Sequence, residues 1–375
     1  MAHDSDPVRF SKKGTSDMKT LGNALIVALV ALLLSATFAA TQAADVRPPG
    51  SATSGKVPGN VSGNISDAAI WGKVRHGIAG SVSIPDKKAA VLVQDGGERL
   101  RLFRNGAQSK WGGWILLVAV MACLAMYVGR GRIMIESGPS GKVVQRFNDF
   151  ERFTHWLTAG SFIILAVSGL NMMFGKYLLL PIIGAKAFGT LTLWGKYSHD
   201  YLGFAFMVGL VLLLVVWLRH NIPNRLDIEW LRKGGGLFSE GTHVPARKFN
   251  AGQKLIYWAV VLLGISLSVS GLALFFPYEI KLFAITFEIM NLVGFDLETN
   301  LTPLMETQLS LVWHGSVALL MIAITIAHIY IGSVGMEGAL DAVVSGDVDE
   351  NWAREHHELW LQEMNVTKVK SEPAE

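Results

Sequence analysis

The chain has 375 residues, 51% of them hydrophobic and only 17% charged, where an ordinary soluble domain carries about 25% charged residues. Long uncharged runs account for the deficit, so the chain is read as an integral membrane protein. The net charge of +3 is small and the basic residues stand beside apolar runs, which argues against a nucleic-acid partner. The single cysteine, Cys123, rules out a disulfide framework, a cysteine-ligated zinc site and an iron–sulfur cluster on this chain, and is read as a small buried hydrophobe. Redox chemistry here has to use other ligands, and ten histidines are the reservoir.

Residues 1–44 read as a secretory signal. Lys12, Lys13 and Lys19 precede the apolar stretch from Leu25 to Leu34, and Thr41-Gln42-Ala43-Ala44 is a plausible cleavage site. The other reading is an uncleaved signal anchor. Either way the following segment is expected to be exported, into a bacterial periplasm or its equivalent. Residues 45–111 form that exported segment: a Pro/Gly/Ser-rich linker, then short β-type runs, Ala89 to Val93 and Leu100 to Arg104, around a turn at Gly96-Gly97.

Five apolar runs follow: Gly112 to Gly129, Trp156 to Gly175, Tyr201 to Leu218, Leu255 to Phe276 and Leu309 to Val334. None contains Asp, Glu, Lys or Arg, and each is long enough to cross about 30 Å of hydrocarbon. Trp111, Trp114, Trp156, Tyr201, Tyr257 and Trp258 near their ends suit interfacial belts. Arg130, Arg132, Lys142, Arg146 and Arg152 put residues 130–154 in the cytoplasm. Arg219, Arg225, Arg232, Lys233, Arg247, Lys248 and Lys254 do the same for the loop between the third and fourth runs. The acidic loop from Pro277 to Gln308 belongs outside, which leaves the tail, residues 335–375, in the cytoplasm. The expected architecture is an all-α membrane protein: a four-helix transmembrane bundle over residues 155–334 plus one additional N-terminal transmembrane helix over residues 112–129.

His155, His199, His314 and His328 lie in or at the edges of the last four runs. Ionisable groups at membrane depth are costly and mark function by default. His314 and His328 are 14 residues apart on one run, so they share a helical face about 21 Å apart along the axis. Topology pairs His199 with His314 near the outer surface and His155 with His328 near the inner one. Two imidazoles facing across a bundle core suit a six-coordinate b-type haem, whose closed coordination implies electron transfer. A zinc or copper site and a proton pathway remain the other readings of the same residues. Gly169, Gly203 and Gly315 offer room for a flat macrocycle. His220 is a rival inner ligand in a loop, His356 and His357 read as part of a solvated tail, and His3, His76 and His243 have no evident partner.

These residues resemble the cytochrome b (gamma) subunit of membrane-bound formate dehydrogenase. The resemblance is carried by Arg152-Phe153-Thr154-His155-Trp156, Ser198-His199-Asp200-Tyr201-Leu202-Gly203, His220-Asn221-Ile222-Pro223, Asn250-Ala251-Gly252-Gln253-Lys254, Trp313-His314-Gly315 and Ala327-His328-Ile329-Tyr330. The tail segment Trp352-Ala353-Arg354 and His356-His357 is similar as well, so the likeness spans about Phe147 to Glu363. It implies two haem b groups on the four histidines, and a quinone site at Asn250, Gly252 and Gln253 near the inner haem. It also implies a molybdenum- or tungsten-containing catalytic subunit that oxidises formate and an iron–sulfur subunit that delivers its electrons. This chain would hold no catalytic residue of its own. The alternatives are the cytochrome b anchor of a hydrogenase or another molybdoenzyme, and a proton-coupled transporter; against the transporter stand the absence of an internal repeat and of charged partners within the runs.

Overall fold

The computed structural model describes residues 96–236 and 243–371, with side chains from residue 97 to residue 364. The signal, the linker, the run from Ala89 to Val93, His3 and His76 lie outside the described residues. Among those described, five helices are long and apolar enough to cross a membrane: Gly97–Arg130, Asp149–Leu178, Leu180–His220, Ala251–Phe275 and Pro303–Gly332.

The first span begins earlier than its apolar run. α1 (Gly96–Phe103) passes through a π-helical turn, Arg104–Gln108, into α2 (Ser109–Arg130). The stretch from Leu100 to Arg104, expected as β-structure, is therefore helical through Phe103 and enters the π turn at Arg104. Its alternation of Leu and Arg suits either period over so short a window. The π turn points Gln108 inward, where its amide donates to the Val312 carbonyl (2.9 Å) and to Ser316 Oγ (3.1 Å).

α3 (Asp149–Leu178) opens with a capping box. Asn148 accepts from the Glu151 N–H (2.9 Å) and Glu151 accepts from the Asn148 N–H (3.1 Å), satisfying two N–H groups that a helix start otherwise leaves unpaired. Glu151 also takes the Trp217 indole N–H (2.9 Å) and Lys248 (2.5 Å), so the turn preceding His155 is fixed from three sides. α4 (Leu180–Trp217) kinks at Gly184 (φ 76°, ψ 166°), where only glycine is unstrained, and returns antiparallel along α3. The approach is close: a Cβ on Gly209 would lie 2.6 Å from Thr158 Oγ1. In a bilayer, such backbone proximity replaces the hydrophobic drive that lipid cannot supply.

α5 (Arg225–Arg232) is a short surface helix tied down by Lys254, which bonds Asp227 (2.9 Å) and the Ile222 carbonyl (3.1 Å). α6 (Ala251–Phe275), α7 (Leu282–Leu292) and α8 (Pro303–Gly332) complete the bundle, with α8 packed on α6 and α2. Outward faces remain apolar, as Val118, Val211 and Val215 illustrate. Tyr257 and Trp258 turn their polar atoms inward: they donate to the carbonyls of Leu214 (3.1 Å) and Asn221 (2.9 Å).

The tail is folded, not solvated. α9 (Asp341–Val344), β2 (Asp347–Asp349) and α10 (Glu350–Ser371) form a cap, with β2 antiparallel to β1 (Val143–Gln145). At its centre is buried Arg146, whose guanidinium lies 5.1–5.3 Å from the rings of Phe147, Trp352 and Trp360. Arg146 Nη2 contacts His357 Nε2 (3.0 Å), and His357 Nδ1 contacts the Arg247 carbonyl (2.7 Å). An arginine only donates and a carbonyl only accepts, so His357 is neutral with its proton on Nδ1. Burial, then the Arg146 cation, push its pKa well below 6.5, and burial lowers Arg146 to about 9.

Neutral His357 stabilises the cap fully above its unfolded value of 6.5, and this contribution is lost as pH falls below it. His356, lowered to about 4 chiefly by burial, acts in the same direction. Residues 341–364 are expected to exchange amide hydrogens faster at about pH 5.5 than at about pH 7.5, after correction for intrinsic rates, and His357→Gln is expected to flatten that difference.

Candidate functional site

The four histidines singled out by sequence form two pairs. His155 on α3 faces His328 on α8 with ring centres 6.4 Å apart, and His199 on α4 faces His314 on α8 at 6.1 Å. α8 is one continuous helix between His314 and His328, so the two pairs are stacked about 21 Å apart along it. Among the described residues no three His, Cys, Asp or Glu side chains converge as a metal-ligand group. Two imidazoles alone fall short of the three or four protein ligands of a zinc site; they suit a metal whose remaining ligands come from a macrocycle. An imidazole nitrogen binds a first-row metal at about 2 Å, so two such bonds across one ion set the ring centres roughly 6 Å apart. Both pairs meet that spacing.

The His199–His314 pair has a symmetric frame. Ser168 Oγ lies 2.9 Å from His199 Nδ1, and Ser270 Oγ lies 2.9 Å from His314 Nδ1. Each serine already donates its one hydroxyl hydrogen to its own helix, Ser168 to the Ile164 carbonyl (2.7 Å) and Ser270 to the Ser266 carbonyl (2.8 Å). Each therefore accepts from its histidine, which fixes the proton on Nδ1 and leaves Nε2 with a lone pair for a metal. Gly169 and Gly271 follow the serines, each within 3.5 Å (measured from an added Cβ) of the adjacent ring's Cε1, beside Nε2. Of the three glycines expected to admit a macrocycle, Gly169 thus borders a ring and Gly203 faces open space. Gly315 instead receives Gln108, whose Nε2 would lie 2.8 Å from an added Cβ.

Sequence reasoning missed Ser168, Ser270 and Gly271. The signal was present: Val167-Ser168-Gly169-Leu170 recurs as Val269-Ser270-Gly271-Leu272, a local repeat where none was expected. The His155–His328 pair lacks this frame, and His155 Nδ1 is buried with no hydrogen-bond partner among the described residues.

That second pair opens into a cavity of about 1130 Å³, which Asn250, Gly252, Gln253 and Tyr257 also line. A pocket for one drug-sized ligand is roughly 300–1000 Å³, so this volume stands at the upper end of what one large ligand needs. Asn250 and Gln253 form the capping box of α6. Asn250 Oδ1 accepts from the Gln253 N–H (2.9 Å) and Gln253 Oε1 accepts from the Asn250 N–H (3.1 Å). Their carbonyl oxygens are thereby occupied and their NH2 groups are left as donors. Gly252 lies beneath the Trp230 ring, 2.8 Å from an added Cβ, so α5 roofs this end of the cavity. His356 reaches the cavity with Nε2 buried and without a hydrogen-bond partner among the described residues, and His243, expected to lack a partner, pairs with Glu136 at 3.1 Å. Half-buried Cys123 borders the cavity as a free thiol. His220 takes the Arg219 Nε–H (2.9 Å) and stands apart from both pairs.

A membrane-spanning helical bundle with histidines paired across its core is the architecture of a membrane cytochrome b. The sequence profile of the prokaryotic cytochrome b561 family matches residues 146–346, and the chain belongs to that family. The nitrate-inducible formate dehydrogenase cytochrome b556(Fdn) subunit of Escherichia coli K12 is 27% identical to it over 236 residues, 62% of this chain and 97% of the relative. The formate dehydrogenase cytochrome b556(fdo) subunit of the same strain is 28% identical over 228 residues, 60% and 96%. The formate dehydrogenase cytochrome b556 subunit of Haemophilus influenzae is 23% identical over 224 residues, 59% and 83%.

Proposed function

We propose that this chain is the di-haem cytochrome b anchor of a formate dehydrogenase complex in a bacterial inner membrane. It carries electrons from an iron–sulfur subunit on the outer face to quinone near the cytoplasmic face. The observation that carries the reading is the separation of the two histidine pairs, 6.1 and 6.4 Å between ring centres, stacked on one helix. Haem b, when bound, supplies one-electron redox chemistry. His199 and His314 hold the outer group, and His155 and His328 the inner one. The remaining work belongs to the chain's own side chains. Asn250 and Gln253 offer NH2 donors to a quinone carbonyl, Gly252 and Trp230 shape its floor and roof, and Tyr257 closes the bundle side. The basic loops favour a cytoplasmic cap, so the protons for quinone reduction come from that side and turnover builds membrane potential. Formate oxidation itself lies on a molybdenum- or tungsten-containing partner, because one cysteine cannot organise that machinery here.

The test is isolation of the intact complex through a tag on this chain. Formate should reduce its b-haem absorbance, and added quinone should reoxidise it. Reduction by hydrogen but not by formate would overturn the assignment and favour a hydrogenase anchor.

A further inference from the structure

We infer that Ser168 and Ser270 are positioning residues that set the outer haem below the inner haem in reduction potential, so that the protein itself directs electrons inward. This rests on the haem reading above. Both outer histidines donate Nδ1–H to a serine oxygen at 2.9 Å, and each serine is locked as an acceptor because its hydrogen is spent on its own helix.

An imidazole that donates from Nδ1 becomes the more basic ligand at Nε2. A more basic axial ligand stabilises ferric over ferrous iron and lowers the potential. Two such ligands act together on the outer site. At the inner site, His155 Nδ1 is buried with no hydrogen-bond partner among the described residues, so that ring would be the weaker donor and would favour the ferrous state. One electron leaving a reduced outer haem oxidises it by one unit and reduces the inner haem by one, with no proton required. The recurrence of Val-Ser-Gly-Leu on α3 and α6, each copy serving one outer histidine, is independent sequence support.

The experiment is an equilibrium redox titration of the b-haem absorbance in the intact complex. The outer component is identified as the one lost in His314→Ala. Ser168 and Ser270 are each replaced by Thr, which keeps the hydroxyl acceptor, and by Val, which has the same shape without it. The expected result is that Val moves the outer component to higher potential while Thr leaves it near wild type, with the inner component unmoved. Each tenfold change in how an electron divides between the two haems corresponds to 59 mV, and a change of about tenfold per serine is expected. Loss of the outer haem in both Val variants would overturn the inference in favour of hydroxyls that only hold the rings in place. Thr and Val behaving alike, or both components moving together, would overturn the inference while leaving the haem assignment intact. Failure of His314→Ala to remove any component would overturn the assignment itself.

Discussion

His314→Ala and His328→Ala are each expected to leave a protein with one b-type haem in place of two, and the haem lost is expected to differ between them. The two residues sit on the same face of α8, yet their partners come from different helices, His199 from α4 and His155 from α3. Removing one imidazole opens one coordination position and leaves the other pair untouched, about 21 Å away along the helix. Haem quantification with a reduced-minus-oxidised spectrum reads the result directly, and the double variant should carry no haem. If the two sites act in series as proposed, formate-to-quinone electron transfer should fall to background in each single variant. Formate oxidation by an artificial acceptor that takes electrons upstream of this chain should persist. Equal loss of both haems in either variant would mean that α8 does not hold two independent sites.

These histidines were legible because the bilayer makes an ionisable side chain conspicuous, and because helix pitch converts a 14-residue spacing into a shared face. Pairing followed from charge in the loops. Ser168 and Ser270 were not legible in the same way: a serine in an apolar helix is cheap, and its role depends on a histidine 31 or 44 residues away on another helix. Comparing the two Val-Ser-Gly-Leu copies was the available route to them. Tyr257 and Trp258 stand at a span end, as the belt reading expects, and their polar atoms point inward to the carbonyls of Leu214 and Asn221.

The tail was misread for a different reason. Its charged residues resemble a solvated segment, but Trp352, Ala353, Trp360 and Leu361 are all buried, two on each side of a break in α10 at His357 (φ −147°, ψ 46°). Trp352 and Trp360 both pack on Arg146. The exported run from Leu100 to Arg104 failed through window length: five residues, of which only Leu100-Arg101-Leu102 alternate, cannot outvote the helix they continue into. Gly315 failed through topology, since the additional N-terminal helix sends Gln108 into the space beside it.

The capping box at the start of α6 allows the quinone reading to be tested without disturbing the fold. Asn250→Asp and Gln253→Glu keep the side-chain oxygen that each contributes to the cap, while replacing the NH2 donor with a second, negatively charged carboxylate oxygen. Asp and Asn cap helices about equally well, so melting should change by less than about 1 kcal/mol, whereas Asn250→Ala should cost roughly 0.5–2 kcal/mol. If the NH2 groups hold the quinone carbonyl, both variants should lose about ten- to a hundredfold in kcat/KM for quinone, the equivalent of about 1.4–2.7 kcal/mol of transition-state stabilisation. The added carboxylate would repel charge developing on the reduced ring, which acts in the same direction. Steady-state quinone reduction, measured beside haem content and thermal stability, separates the contributions. Haem content should stay at the wild-type value, since neither residue contacts the histidine pairs. A variant that keeps full quinone turnover while retaining its cap would reduce Asn250 and Gln253 to helix-start residues, and quinone would then have to bind elsewhere in the cavity beside His155 and His328.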